Sequence, residues 1–153
     1  EPGTEKRRQL ELSGRKNAGG IGDVRKETGN RLAKRAAEIL GELTDGRYTR
    51  IFIEEGLEIS IFDGIRKIPI HMMSRGTIEQ IYFAVRMAAS EILYEEPLPI
   101  ILDDTFAYYD DKRMEAALRW LAGQKKQVLL FTCQNREKEA LDHMHLAYRD
   151  GWD

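Results

Sequence analysis

A short apolar run, Leu98-Pro99-Ile100-Ile101-Leu102, ends abruptly in two carboxylates, Asp103 and Asp104. Unbroken apolar residues over so few positions read as a strand buried on both faces, the kind found in parallel sheets covered by helices. Pro99 fits only near the start of such a strand, because it cannot donate to a ladder. The flanking pattern agrees. Ile78, Ile81, Tyr82, Val85, Ala89 and Ile92 lie on one side of a helix that opens after Ser74-Arg75-Gly76 and stops at Glu95-Glu96-Pro97. Beyond the carboxylates come a helix through Arg113 to Leu121, a second buried strand through Gln127 to Thr132, and a helix from about Arg136 to Asp142. Helices alternating with apolar strands predict an α/β fold with a partly parallel sheet flanked by helices.

The front half reads differently. Leu32, Ala36, Ile39, Leu40 and Leu43 recur at helical spacing from about Asn30, and Asp45-Gly46 ends that helix. Arg47 to Glu54 and Leu57 to Phe62 are short segments of alternating or β-branched residues joined through Glu55-Gly56, a β-hairpin, with a third strand expected across Arg66 to Ile70. Residues 1–29 contain Pro2 and the stretch Asn17-Ala18-Gly19-Gly20-Ile21-Gly22, which predicts a flexible lead, or else the remnant of a coiled coil, ahead of one domain over residues 30–153. The net charge is −2, but residues 1–35 carry ten Lys/Arg against five Asp/Glu, so the lead is basic at +5 and the remainder is −7. Such a lead can attract nucleic-acid phosphates, or be no more than a solvated helix face.

With 42% hydrophobic and 33% charged residues in 153, the composition is that of one globular domain. No apolar run approaches the ~20 residues that cross a bilayer, so a cytoplasmic protein is expected, without membrane contact. The single cysteine, Cys133, follows the apolar Val128-Leu-Leu-Phe-Thr segment and reads as a reduced buried thiol. His143-Met144-His145 would put two imidazoles on one face of a strand, without a third metal ligand in sight.

Two constellations bear on chemistry. Acids at the carboxyl end of a sheet strand face the crevice where α/β proteins bind ligands. Asp103 there suits Mg²⁺ held through water, and Asp104 suits orientation or deprotonation of an attacking water. Taken alone, the same pair equally caps a turn. The second constellation is Ser74-Arg75-Gly76-Thr77 at a helix N-terminus, where free N–H groups favour phosphate and Gly76 allows close backbone approach. Thr77 and Gln80 also fit a capping box.

Order and spacing join the two. A Ser-x-Gly-Thr loop opening a helix, a buried strand ending Asp-Asp, an acid seven residues after the first and another buried strand together resemble the ABC-type ATPase heads of the SMC, RecF and RecN class. The match is closest to YhaN-like bacterial members with a Ser-x-Gly-Thr-x-x-Gln signature, and it covers roughly Arg31 to the end. The resemblance implies the C-terminal half of a P-loop NTPase head. Ser74, Arg75, Gly76 and Thr77 would be the signature motif, acting in trans on ATP bound by a second head. Leu98 to Asp104 would be the Walker B strand, with Asp103 as the Mg²⁺ residue and Asp104 as the catalytic acid. Thr105 to Asp110 would be the D-loop with Asp110 as its acid, and Phe131 to Gln134 the switch, with Gln134 contacting the γ-phosphate. The helix from Asn30 would be the end of a returning coiled coil. Implied too are ATP and Mg²⁺ as cofactors, a second head in an ATP-sandwiched homodimer, and work on DNA in repair or chromosome maintenance.

Three departures qualify the resemblance. Asp104 stands where the family usually has Glu, and the shorter acid predicts slow hydrolysis. Gln134 replaces the His of many members, keeping a donor but losing a titratable group. No G-x-x-x-x-G-K-[ST] occurs: Gly14-Arg-Lys-Asn-Ala-Gly19 is followed by Gly20-Ile21 where Lys and Ser/Thr are required. The chain starts at Glu1, and the expectation is a separated half whose partner is its own N-terminal P-loop half. The isolated chain is then expected to be inactive, and the alternative function is a catalytically weak or inactive assembly or DNA-binding module.

Overall fold

The computed structural model describes residues 24–151, except 25, 55, 57 and 95. The glycine-rich joint and most of the basic lead lie outside the described residues. Helix α1 takes in residue 24 and residues 26–43, and so begins before Asn30. Its apolar stripe is as the periodicity predicts: Ala36, Ile39, Leu40 and Leu43 are buried and Leu32 packs against them. It ends in a Schellman-type turn, with the Gly46 N–H donating to Gly41 O at 2.8 Å and Asp45 in the left-handed region at φ 51°.

Strands β1 (Arg50–Ile53), β2 (Ile59–Phe62) and β3 (Lys67–Pro69) form an antiparallel meander, with Ile51 opposite Ile61 and Ile61 opposite Ile68. Both the hairpin and the third strand were expected. Ile51 and Ile61 point into the common core, while Lys67 pairs with Glu54 at the rim. The Asp63 side chain accepts from the N–H groups of Ile65 and Arg66, both at 2.9 Å, and this closes the turn between β2 and β3.

A single 3-10 turn (Ile70–Met72) leads into α2 (Arg75–Leu93). The helix is where the sequence predicts it, but it is rotated. Its buried residues are Thr77, Gln80, Ile81, Phe83, Ala84, Met87 and Ala88, so Ile81 alone of the expected stripe is fully buried, and Tyr82 is exposed. Thr77 and Gln80 can face inward because hydrogen bonds satisfy them there, and Ala84 and Ala88 allow close approach. Arg35 of α1 ties the two helices together, with Nε 2.6 Å from Glu91 Oε2.

Strands β4 (Ile100–Asp103) and β5 (Val128–Phe131) pair in parallel, with Ile100 opposite Val128 and Asp103 opposite Phe131. The strand begins at Ile100, so Leu98 and Pro99 of the expected run lie just ahead of it. Burial on both faces is not found among the described residues: Ile100 and Leu102 are buried, but Ile101 is 67% and Phe131 57% exposed. One face is covered by the core; the other, equally apolar, is open. Helices α3 (Asp111–Ala122) and α4 (Arg136–His143) pack against each other, and Trp120 meets Phe83 edge-on at 5.8 Å between ring centres. His143 closes α4 and His145 sits in a turn at φ 55°, so these two do not share a strand face. Among the described residues no cluster of three or more metal-ligating side chains occurs, and no helix is long and apolar enough to cross a membrane.

Candidate functional site

Parallel pairing brings the carboxyl ends of β4 and β5 to one edge. Asp103 and Asp104 leave β4 there, and Thr132, Cys133 and Gln134 leave β5 beside them. The ladder continues one step past the strand, as the Asp104 N–H donates to Phe131 O at 2.9 Å. Asp103 and Asp104 are both exposed. Asp104 has φ 42°, a left-handed conformation uncommon for a side-chain-bearing residue. Its carboxylate accepts from the Cys133 N–H at 3.3 Å and lies 3.7 Å from the Cys133 sulfur. Cys133 is therefore an exposed thiol beside an acid, contrary to the buried position expected of it. The strand ends before it, so its side chain escapes the core. Gln134 follows in a turn in which its N–H donates to Thr132 Oγ1 at 3.1 Å. Two hard carboxylate oxygen donors on an open edge fit Mg²⁺, which keeps several waters.

The Ser74 loop is built differently from the expected capping box. Ser74, not Thr77, is the N-cap of α2: its hydroxyl accepts from the Thr77 N–H at 3.4 Å and meets Thr77 Oγ1 at 2.9 Å. Gln80 turns inward and donates to Leu43 O at 3.3 Å. Ser74 and Arg75 remain exposed, and the Arg75 guanidinium lies over the Tyr108 ring, 4.4 Å from its centre. Gly76 is required by a close approach within the chain: a Cβ there would stand 3.0 Å from Tyr108 O and 3.3 Å from Arg113 Cδ.

The segment from Thr105 to Asp110 thus packs directly on the Ser74 loop. Asp110 caps α3, accepting from the Arg113 N–H at 2.9 Å, and its carboxylate pairs with the Arg113 guanidinium. Phe106 and Tyr109 are buried, with ring centres 5.3 Å apart, whereas Tyr108 is exposed; the two adjacent tyrosines divide packing from surface. Burial pushes the Tyr109 phenol well above its ordinary range. Arg136, at the start of α4, donates from Nη1 to Tyr109 O at 2.9 Å and from Nη2 to Phe106 O, fixing the same segment from the other side.

All eight site residues expected from the sequence fall in two adjoining groups. Asp103, Asp104 and Gln134 share the sheet edge, Ser74, Arg75, Gly76 and Thr77 join Asp110 through Arg113, and residues 105–109 connect the groups. Sequence reading missed Arg113, Arg136 and the inward role of Gln80. Arg113 stands three residues after a cap acid, which is legible as a local pair. Its reach to Thr77 and Gln80, more than thirty residues away, is not.

No family model matches the chain. YhaN of Bacillus subtilis is 35% identical over 125 residues, 77% of this chain, and the DNA double-strand break repair Rad50 ATPase of Pyrococcus abyssi is 26% identical over 125 residues, 75% of it. The chain belongs with the C-terminal regions of SMC/Rad50-like ATPase heads. Among solved structures, an SMC ATPase chain matches at a TM-score of 0.66 with 20% identity, over 78% of this chain and 78% of that one. The SMC head domain of Thermotoga maritima matches at 0.58 with 24% identity, over 72% of this chain and 40% of its own. The chain spans only 13% and 14% of the lengths of the YhaN and Rad50 relatives.

Proposed function

We propose that this chain forms the C-terminal lobe of an ATP-hydrolysing head in a coiled-coil ATPase that acts on DNA. The observation that supports it most is the joining of Ser74–Thr77 to Thr105–Asp110 through Gly76 and Arg113, next to a sheet edge holding Asp103, Asp104 and Gln134. In this reading Asp103 holds Mg²⁺ through water, and the ion, when bound, neutralises phosphate charge. Asp104 orients the attacking water, and Gln134 donates to the γ-phosphate. Asp110 contacts the facing head. Ser74, Arg75, Gly76 and Thr77 address an ATP held by that second head, with the Arg75 and Gly76 N–H groups in the first turn of α2, where no carbonyl of the helix accepts from them.

The phosphate cradle must come from another segment, since this chain has no G-x-x-x-x-G-K-[ST]. A P-loop half is the natural cover for the open apolar face of β4 and β5, because parallel sheets are ordinarily buried on both sides. Dimerisation and DNA are proposed by analogy with the kin: the matched SMC structure belongs to work on ATP-driven dimerization and DNA-stimulated activation, and the Rad50 relative is a double-strand break repair ATPase.

A second reading, a head retained for assembly or DNA binding with little turnover, is favoured by Asp104 itself, a short acid already engaged by Cys133. One experiment separates them. ATP turnover and ATP-dependent dimerisation are measured in the full-length protein for the parent, Asp104→Asn and Ser74→Arg. Active parent and disabled variants support the first reading. Variants matching the parent sink it, while an inert parent whose DNA affinity falls steeply with salt favours the second.

A further inference from the structure

Arg113 sits on α3, yet its guanidinium reaches three other groups. Nε donates to Gln80 Oε1 at 3.2 Å, Nη2 to Thr77 Oγ1 at 3.4 Å, and Nη1 to the Asp110 carboxylate. Gln80 is only 2% exposed, and its amide is used at both ends, since Nε2 donates to Leu43 O at 3.3 Å. Leu43 is the last residue of α1, and its carbonyl is one of the final four that lack a partner within a helix. Burying an amide is costly unless it is fully hydrogen-bonded, and here both ends are satisfied across elements distant in sequence.

Apolar packing joins α1, α2 and α3 in one core, Leu43 included, but it does not reach the polar groups at the ends of these helices. A cleft of about 280 Å³, lined by Thr44, Arg47, Lys112 and Ala116 among others, separates the end of α1 from α3. A Lys112–Asp45 pair spans it at 4.0 Å, but its side chains are 89% and 86% exposed, and pairs of that kind hold little. The polar path Leu43–Gln80–Arg113, buried at Leu43 and Gln80 and half-buried at Arg113, runs along the floor of this cleft and is the firmer connection. At Arg113 it divides, one arm ending on Thr77 beside Ser74 and the other on Asp110.

We infer that Gln80 and Arg113 form a relay that fixes Thr77 and Asp110 relative to the end of α1, so that both loops move as one unit with that helix end. Arg113 is a positioning residue: it acts on the Ser74 loop and on the 105–110 segment without itself facing the nucleotide. The relay deepens the head reading and rests on it only for its effect on turnover.

Two substitutions in the full-length protein test it. Arg113→Lys keeps a cation beside Asp110 but loses the fork that reaches Thr77 and Gln80 together. Gln80→Glu keeps an acceptor for Arg113 but sets a carboxylate against Leu43 O, cutting only the α1 arm. Amide hydrogen exchange is followed at residues 41–46, 74–78 and 106–110. Arg113→Lys is expected to speed exchange by about tenfold in both loops together, with 41–46 much less affected. Gln80→Glu is expected to release 41–46 and, more weakly, both loops.

A change confined to one loop, no change in either, or a uniform rise across the chain including α4 overturns the relay. Should Gln80→Glu not fold, Arg113→Lys decides the matter alone. Turnover adds a second readout, with kcat falling while KM stays within about twofold, because the phosphate cradle lies elsewhere. Absence of turnover in the parent would fail the head reading, while the exchange pattern still decides the relay.

Discussion

Cys133 closes over Asp104: its N–H lies 3.3 Å from Asp104 Oδ1, and its sulfur 3.7 Å and 3.9 Å from the two carboxylate oxygens. With Asp104 held at φ 42°, the aim of its carboxylate is set from the end of the neighbouring strand. The ends of the two parallel strands are thereby joined through Asp104 and Cys133.

Because Cys133 is exposed and is the one cysteine among these 153 residues, a maleimide should modify one equivalent of thiol on this chain alone without denaturant. The adduct crowds Asp104, and in the full-length protein it should lower ATP turnover by about tenfold or more, the scale of loss that a small misplacement of a reacting group brings. Cys133→Ser should keep activity and resist the reagent. Thiol titration alongside phosphate release checks both, and equal inhibition of Cys133→Ser would refute the link.

Gly76→Ala should destabilise the fold even though alanine is the better helix former. Relief of glycine's conformational freedom gains about 0.5–1 kcal/mol. Overpacking costs about 1–3 kcal/mol where the neighbour cannot yield, and the nearest neighbour at 3.0 Å is the backbone carbonyl of Tyr108. A net loss of about 1 kcal/mol is expected in urea denaturation, together with displacement of the Thr105–Asp110 segment. A gain in stability would mean that the two loops are not in close contact.

Much of this arrangement is legible in the sequence, and the rest is lost for identifiable reasons. The Asp45-Gly46 stop, the hairpin and the β4–α3–β5–α4 order follow from local pattern, because period and turn chemistry are local properties. Cys133 was misplaced because an apolar context does not say where a strand stops. The face of α2 was misread since its most apolar stripe is not its buried one: Thr77 and Gln80 face inward, and only their distant partners Arg113 and Leu43 make that tolerable. The order of the Ser74, Asp103 and Asp110 segments marked the candidate site; the side chains that hold these segments together depend on contacts no single segment contains.

Tyr109 offers a test of burial. It is 4% exposed, and among the described residues nothing is placed to pair with its hydroxyl. Tyr109→Phe should therefore be neutral or stabilising by up to about 1 kcal/mol, since an unpaired buried hydroxyl contributes only its desolvation cost. Burial raises the phenol's pKa in the folded state, so the unfolded chain releases its proton first as pH rises. Stability is fully present below about pH 10, the ordinary tyrosine value, and declines above it. The variant should lose less stability between neutral and strongly alkaline pH, as measured by denaturant titration. A steeper alkaline loss in Tyr109→Phe would contradict the assignment.

The open face of the parallel pair separates what this chain does alone from what it does in the full protein. Ile101 and Leu129 are paired neighbours on that face and Phe131 follows, with exposures of 67%, 38% and 57%. On the chain alone, the double substitution Ile101→Thr, Phe131→Ser removes side chains already facing water, so its stability should change by only about 0.5 kcal/mol. Self-association, seen as a mass that rises with concentration in sedimentation, should diminish. In the full-length protein, where the proposed P-loop half covers this face, the same change removes buried apolar surface and should cost about 2–4 kcal/mol. Equal effects in both settings would show that nothing covers the face, and would remove the main structural reason for placing a P-loop half there.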